Sequence, residues 1–420
     1  MLIFFVYWYA ILSFLTVDHD MSNIKKFFYH KYALLISLYC TQFMGIGFIY
    51  TAVPAILRQE NVPLDQISYV YAIGLFWAVK FIWAPIIDSY KIGKFGRYRD
   101  WIMLFQSLMV ATLILAAIFE MPEQYSILLG LFALFAFFSS TQDIATDALT
   151  FSSLKENERG AGGAIQTIGA MLGNLIGAGL VLTFYHSFGW FGSLLILAAM
   201  TSFSLFHVYL SRHIVVELCD DSIRSIDYSR LCKFFNHSKN VSWLFLIVIF
   251  YIGLSTSYVL VNPMLVDFGW SLEKIGLVSS FLGSVFSILG ALVIALIVRH
   301  LGKKTAILIA TTAVLFSTLS LLLPLYFSQH DWALFLAVIL IFIGYGGGST
   351  IVYMGMMDNC TQDTAGTDFT LQFSVVFIFG FIASGISLSQ AEVYGYSAVL
   401  IVSACTSILL LIYLYFYKAF

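Results

Sequence analysis

Apolar residues run along this chain in blocks of about twenty, separated by short stretches that carry nearly all of its charge. A bilayer core of about 30 Å takes roughly twenty apolar residues per helix. Runs of that length fall near 32–57, 67–87, 101–120, 126–149, 161–184, 189–211, 242–266, 275–297, 305–325, 332–355, 368–390 and 395–417. The pattern predicts an all-α membrane protein with twelve transmembrane helices in two six-helix pseudo-repeats. A polar connection, 212–241, divides an N-terminal bundle over 21–211 from a C-terminal bundle over 242–420.

Composition agrees with the pattern. Of 420 residues, 60% are hydrophobic and 10% are charged, against about 25% charged in soluble domains. A soluble core stops growing at roughly 250 to 300 residues, so this much apolar surface needs lipid as its solvent. Lys and Arg then set the orientation. With the segment from Met21 inside, every basic residue falls on the cytoplasmic side except Arg58, Lys274 and Lys80, and both termini are expected there. The stretch MLIFFVYWYAILSFLTV is short for a span and lacks the basic start and small-residue cleavage site of a signal peptide. Residues 1–20 are read as an extension upstream of the start-like MSNIKKFFYHK.

Other chemistry is excluded by what the chain lacks. HLGKKTA at 300–306 misses the earlier glycine of a phosphate-binding loop. Cys219, Cys232, His213 and His237 lie close in the connection without metal-site spacing, which leaves free thiols in a reducing compartment. His207 is the one clear histidine inside a span and has no partner set. No enzyme, no cofactor, no metal and no nucleic-acid partner is expected.

The halves echo one another, as repeated transporter halves do. TQDIATD at 141–147 pairs with TQDTAGTD at 361–368, both assigned to the inner end of the fourth span of their half, and RGAGGAIQ at 159–166 pairs with AGTDFTLQ at 365–372. Small residues also recur. Gly169, Gly173 and Gly177 form a stripe on span five and Gly276, Gly283 and Gly290 one on span eight, which predicts either generic close packing or smooth surfaces sliding where spans five and eight meet. GYGGGST at 344–350 is read as a bend, a close approach to a ligand, or tight packing.

The segment FIWAPIIDSYKIGKFGRYRDWIMLFQ, 81–106, resembles the loop between spans two and three of the major facilitator superfamily. Its W-A-P-x-x-D…G-R-x-R-x-W pattern, with STQDIATDAL and ERGAGGAIQTIGAMLG, is similar to the branch that holds AmpG-type muropeptide permeases, acetyl-CoA transporters and RhtX/FptX-type siderophore importers. The likeness runs over nearly the whole chain from about residue 30. QDIATDAL and TDFTLQ at 367–372, with twelve rather than fourteen spans, favour the siderophore importers. Ala84 stands where the general superfamily motif has glycine. The resemblance implies a monomeric importer in the bacterial inner membrane, moving a siderophore, as its ferric complex, by proton symport and alternating access. Muropeptide uptake is the alternative, and an integral membrane enzyme is the distant third reading.

Candidate residues follow from the cost of charge in lipid. Asp143 and Asp147, four apart, share one helix face. Such a pair disfavours joint ionisation and suits a proton carrier, or else it closes the inner gate by pairing with Arg97, Arg99 or Arg159. Asp88, Arg97 and Arg99 form the predicted gate between the bundles, joined by Asp368 in the second copy of the motif. Lys80 either attracts an anionic ligand or sits in a structural ion pair. Gln42, Gln166 and Gln372 either hydrogen-bond a ligand or tie helices together. Tyr50, Tyr251, Tyr258 and Tyr345 rank below them in a chain with 24 tyrosines.

Overall fold

A computed structural model describes residues 31–416, apart from 61, 63, 122, 212–225, 227, 237 and 328–330. Among these residues the chain is helical throughout, with no strand. Helices are what lipid demands, because every backbone N–H and C=O must be satisfied within the segment. Nine of the described helices are long and apolar enough to cross a membrane.

Two of the nine are double. Glu156–Leu210 and Ala365–Leu414 hold 55 and 50 residues, about 75 to 80 Å of helix against a core of about 30 Å. Each turns at a glycine in the left-handed region, Gly189 (φ 61°) and Gly395 (φ 80°), a conformation that costs glycine nothing. A shorter apolar helix, Tyr69–Ile82, completes the series. In chain order, span 1 is Lys31–Gln59, span 2 Tyr69–Ile82, span 3 Arg97–Ile118 and span 4 Tyr125–Ser153. Spans 5 and 6 are the arms of Glu156–Leu210 on either side of Gly189. Span 7 is Lys239–Asp267, span 8 Gly276–Leu301, span 9 Lys303–Tyr326 and span 10 Asp331–Asp358. Spans 11 and 12 are the arms of Ala365–Leu414 on either side of Gly395. Every apolar run read from the sequence lies on one of these helices, give or take its ends.

Span 2 is the irregular one. It tightens into a 3-10 turn at Lys80–Ile82, and Pro85 then starts a short helix, Ala84–Ser89, that carries the chain past the span to Asp88. Residues 1–20 lie outside the described part, as does most of the 212–241 connection. What is described there includes a short helix, Ser229–Asn236, whose Phe234 packs in the same cluster as Trp243 at the foot of span 7.

The two ends of the bundle differ. One, the basic end, gathers Lys31, Lys91, Lys94, Lys155, Arg159, Arg299 and Lys303; Arg58 and Lys274 lie at the other. At the basic end the halves share one apolar core, in which Leu34, Ala84, Tyr98, Ile144 and Phe151 join Trp243, Ile247, Val298, Met354 and Phe369. Toward the opposite end the core divides. Met44, Phe132, Phe135 and Leu197 form one cluster in the first half, and Leu260, Trp270, Ile341 and Leu400 another in the second. Spans 2 and 4 touch span 11, and span 5 touches spans 8 and 10. The halves therefore share an apolar core at the basic end, while at the other end they meet between Leu175–Leu180 of span 5 and Gly276–Leu282 of span 8.

The glycine stripes have other partners than sliding halves. Gly169 and Gly173 bring span 5 against the backbone of span 1 in the same half, and Gly283 and Gly290 seat span 8 on Phe342 and Ile343 of span 10. A stripe of small residues says that some helix comes close, not which one. The glycines at the boundary between halves include Gly160, beside Val298, and Gly163, whose missing Cβ would collide with the Thr350 carbonyl. GYGGGST lies within unbroken helix, with Gly346 against Ser287, so packing is its role. Gly163→Val is expected to keep the halves from docking and to abolish uptake by folded, membrane-inserted protein. Gly130→Val, where an added side chain meets open space, is the matched control. Equal uptake by both variants would show that the close approach at Gly163 is dispensable.

The motif copies are also placed differently than expected. Thr141–Asp147 is inside span 4, whereas residues 361–364 form the turn after span 10 and Asp368 opens span 11. The second pairing keeps its register, with Gln166 seven residues into the helix that starts at Arg159 and Gln372 seven into the helix that starts at Ala365.

Candidate functional site

Asp143 and Asp147 lie one turn apart on span 4, and Lys80, fully buried at the end of span 2, meets both. Its ammonium is in direct contact with Asp143 and lies 3.9 Å from Asp147 Oδ2. Tyr39 of span 1 donates its hydroxyl to Asp147 (2.9 Å), and the Gln166 amide of span 5 donates to the same oxygen (3.4 Å). From the second half, the Phe373 ring of span 11 stands 4.4 Å from the ammonium, a cation–π contact that strengthens when desolvated. Tyr353 of span 10 is within electrostatic reach of both carboxylates.

With both carboxylates ionised, two against one ammonium would leave this triad one negative charge in excess. One proton, or one cationic group of a ligand, makes it neutral. Breaking a buried pair by removing one partner costs about 3 to 5 kcal/mol, so the triad is stable only while its charges are matched. Asp147 Oδ2, the carbonyl oxygens of Gln142 and Gln166, and both ends of the Gln42 amide are buried without a hydrogen bond to protein. Each such group costs about 1 to 3 kcal/mol, which makes this level of the first half receptive to a hydrogen-bonding solute.

A second constellation closes the basic end. Asp88, buried in the short helix past span 2, accepts the Tyr98 hydroxyl (2.9 Å), the Gly366 N–H (3.1 Å), and the Thr367 N–H and hydroxyl (2.7 and 2.6 Å). Those two N–H groups belong to the first turn of span 11, where an intrahelical acceptor is missing and the helix dipole favours an anion. A carboxylate of one half thus caps a helix of the other. Burial pushes the Asp88 carboxyl up to about 6, against the downward pull of the Thr367 and Tyr98 hydrogen bonds. Arg159 pairs with Asp358 across the boundary (3.0 Å), and Lys303 of the second half shares that carboxylate (2.8 Å). These pairs are partly exposed and weak, about 0 to 1 kcal/mol each.

Lys80, read as an anion receptor or an ion pair, is in the ion pair. Asp143 and Asp147 pair with Lys80 and Tyr39, not with Arg97, Arg99 or Arg159. Arg97 and Arg99 are buried at the start of span 3 on either side of Tyr98, the residue that reaches Asp88. Asp368 accepts from the Thr361 N–H and from the Thr361 and Thr364 hydroxyls, which folds the turn before span 11. Gln372 donates to the Met356 and Asp368 carbonyls and accepts the Trp243 indole N–H, tying spans 7, 10 and 11 together. Gln42 and Gln166 keep free hydrogen-bonding capacity. Sequence reasoning missed Tyr39, Tyr98, Thr367, Phe373 and Asp358, for which residue type alone gives no signal. Among the described residues no group of His, Cys, Asp and Glu is arranged to hold a metal ion.

The sequence model of the Major Facilitator Superfamily matches residues 35–387. The anhydromuropeptide permease of Escherichia coli strain K12 is 28% identical over 321 residues, 74% of this chain and 64% of the permease, so the chain spans less than two thirds of that relative's length. A Rickettsia typhi protein that bears the transporter name AmpG 3 is 23% identical over 387 residues, 86% of each chain. Among solved structures, the human organic anion transporter MFSD10 (TETRAN) superposes with a TM-score of 0.72 at 14% identity, over 91% of this chain and 98% of that one, a likeness of fold.

Proposed function

The chain belongs to the Major Facilitator Superfamily, and from that premise we propose that it is a secondary transporter that imports a muropeptide by alternating access, coupled to protons. The basic end is cytoplasmic in this reading, as the bias of Lys and Arg requires. The observation that carries it is the buried triad of Lys80, Asp143 and Asp147, two carboxylates sharing one ammonium, with Phe373 of the second half against that ammonium. A proton or an ammonium group neutralises the triad, and a solute carboxylate competes with Asp143 for Lys80. Either event loosens a contact that helps to hold the halves together.

Muropeptides, amino sugars that carry a short peptide, offer both carboxylates and an ammonium. Siderophore import, which the QDIATDAL and TDFTLQ segments favour, supplies carboxylates as well, but the likeness to the Escherichia coli anhydromuropeptide permease speaks for the muropeptide. The test uses inverted-gradient controls. Right-side-out vesicles from a strain expressing the protein are expected to accumulate labelled anhydromuropeptide at least tenfold faster with an inward proton gradient than without one. Accumulation of ferric siderophore with no anhydromuropeptide uptake would replace this reading by the other.

A further inference from the structure

Among the described residues, the charge buried within the spans, away from the first turn that holds Asp368, belongs to the first half. Between Lys239 and Asp267, between Asp331 and Asp358, and between Asp368 and Glu392 the second half has no charged residue at all. What it presents there is aromatic. Tyr251 and Tyr258, seven residues apart, lie on one face of span 7, and Tyr345 and Tyr353, eight apart, lie on one face of span 10. The Tyr258 and Tyr345 rings stack with centroids 4.4 Å apart and planes 29° from parallel, and Phe342 closes on Tyr258 edge-on at 5.5 Å. Tyr251 is within electrostatic reach of Tyr345, Tyr353 and Tyr258. Its ring lies so close to span 11 that only Gly380 fits beneath it, an added Cβ there falling 2.5 Å from the ring. Tyr251, Tyr258 and Tyr345 nevertheless keep accessible surface.

We propose that this tyrosine row is the subsite for a neutral saccharide ring. A pyranose offers flat C–H faces, which lie on aromatic rings, and equatorial hydroxyls, which exchange hydrogen bonds with phenol groups; it offers no charge, and this wall offers none in return. The position fits as well. Tyr353 is near the Asp143–Asp147 pair, and Tyr345, eight residues away on the same helix, is about 12 Å farther from the basic end. One solute thus rests its ring against the second half while its ionised portion reaches the triad of the first. This inference rests on the muropeptide reading and assigns the two parts of that solute to opposite walls.

The experiment compares wild type with Tyr345→Leu, Tyr258→Leu and the matching Phe variants, using labelled anhydromuropeptide for uptake. Two unlabelled competitors are used, the anhydro-disaccharide without peptide and the free peptide without sugar. Loss of a stacking face is expected to raise KM about tenfold and to weaken competition by the disaccharide equally, with competition by the peptide unchanged. The Phe variants, which keep the face, are expected to stay within about threefold of wild type, which also separates a lost subsite from a misfolded chain. Wild-type KM and undiminished disaccharide competition in both Leu variants would overturn the subsite and leave the muropeptide reading standing. A wild-type protein that takes up no muropeptide and is not competed by the disaccharide would overturn both.

Discussion

Lys80→Met should abolish coupled transport and lower stability by about 3 to 5 kcal/mol, the cost of stranding a buried charge. The substitution leaves Asp143 and Asp147 facing each other on one helix with no cation between them, and Tyr39 already engages Asp147. Asp143→Asn is expected to cost less, because the Lys80 ammonium keeps Asp147 as its counter-charge at 3.9 Å. The double variant Lys80→Met with Asp143→Asn removes both members and should recover most of the stability, since a neutral pair of similar volume needs no compensation. It should not recover transport. Thermal unfolding in detergent and uptake into vesicles read the two quantities separately. Normal gradient-driven uptake by Lys80→Met would reduce the triad to a structural brace.

Asp88→Ala should undo the docked basic end. The substitution removes four hydrogen bonds from a buried carboxylate, three of them made to the first turn of span 11 in the other half. Bonds to a charged group contribute about 1.5 to 3 kcal/mol each and a lost helix cap about 0.5 to 2, so the docked arrangement is expected to lose at least tenfold in population. Hydrogen exchange over 359–368, corrected for intrinsic rates, measures this as lost protection. Acidity works in a fixed direction. The Asp88 carboxyl is near 6 when docked and returns toward its ordinary 3.8 once hydrated, so the docked state binds the proton better. Lowering pH from 7 to 5 therefore favours docking in the wild type and has no such effect through this residue in Asp88→Ala. Unchanged protection in the variant at both pH values would sink the latch.

The fold was largely legible because lipid imposes a length on each helix, and twenty-residue apolar runs announce it. Where two spans share one helical rod, only the glycines at 189 and 395 mark the break, and their positive φ has no signature among the 30 glycines of the chain. The site was legible in part. Asp143 and Asp147 stood out through spacing on a single helix. Lys80 stood out through its cost in lipid, yet its partners lie 63 and 67 residues further along, and nothing local chooses between a ligand and an ion pair. Two of the four donors to Asp88 are backbone N–H groups 278 and 279 residues away, which side-chain identity does not record. The tyrosine row was hidden by abundance, since helical spacing picks out many pairs among 24.

The one-sided placement of charge has an electrical consequence. A membrane potential does work on charge that shifts across it, about 2.3 kcal/mol per elementary charge per 100 mV. The second half carries no ionised group in the middle of its helices, so a voltage exerts almost no force on it. The first half, with Lys80, Asp143 and Asp147, is the part of the molecule that the field can pull. One proton on the triad removes that handle, so in a proton-coupled importer the field acts on the deprotonated return stroke and not on the proton-loaded inward one.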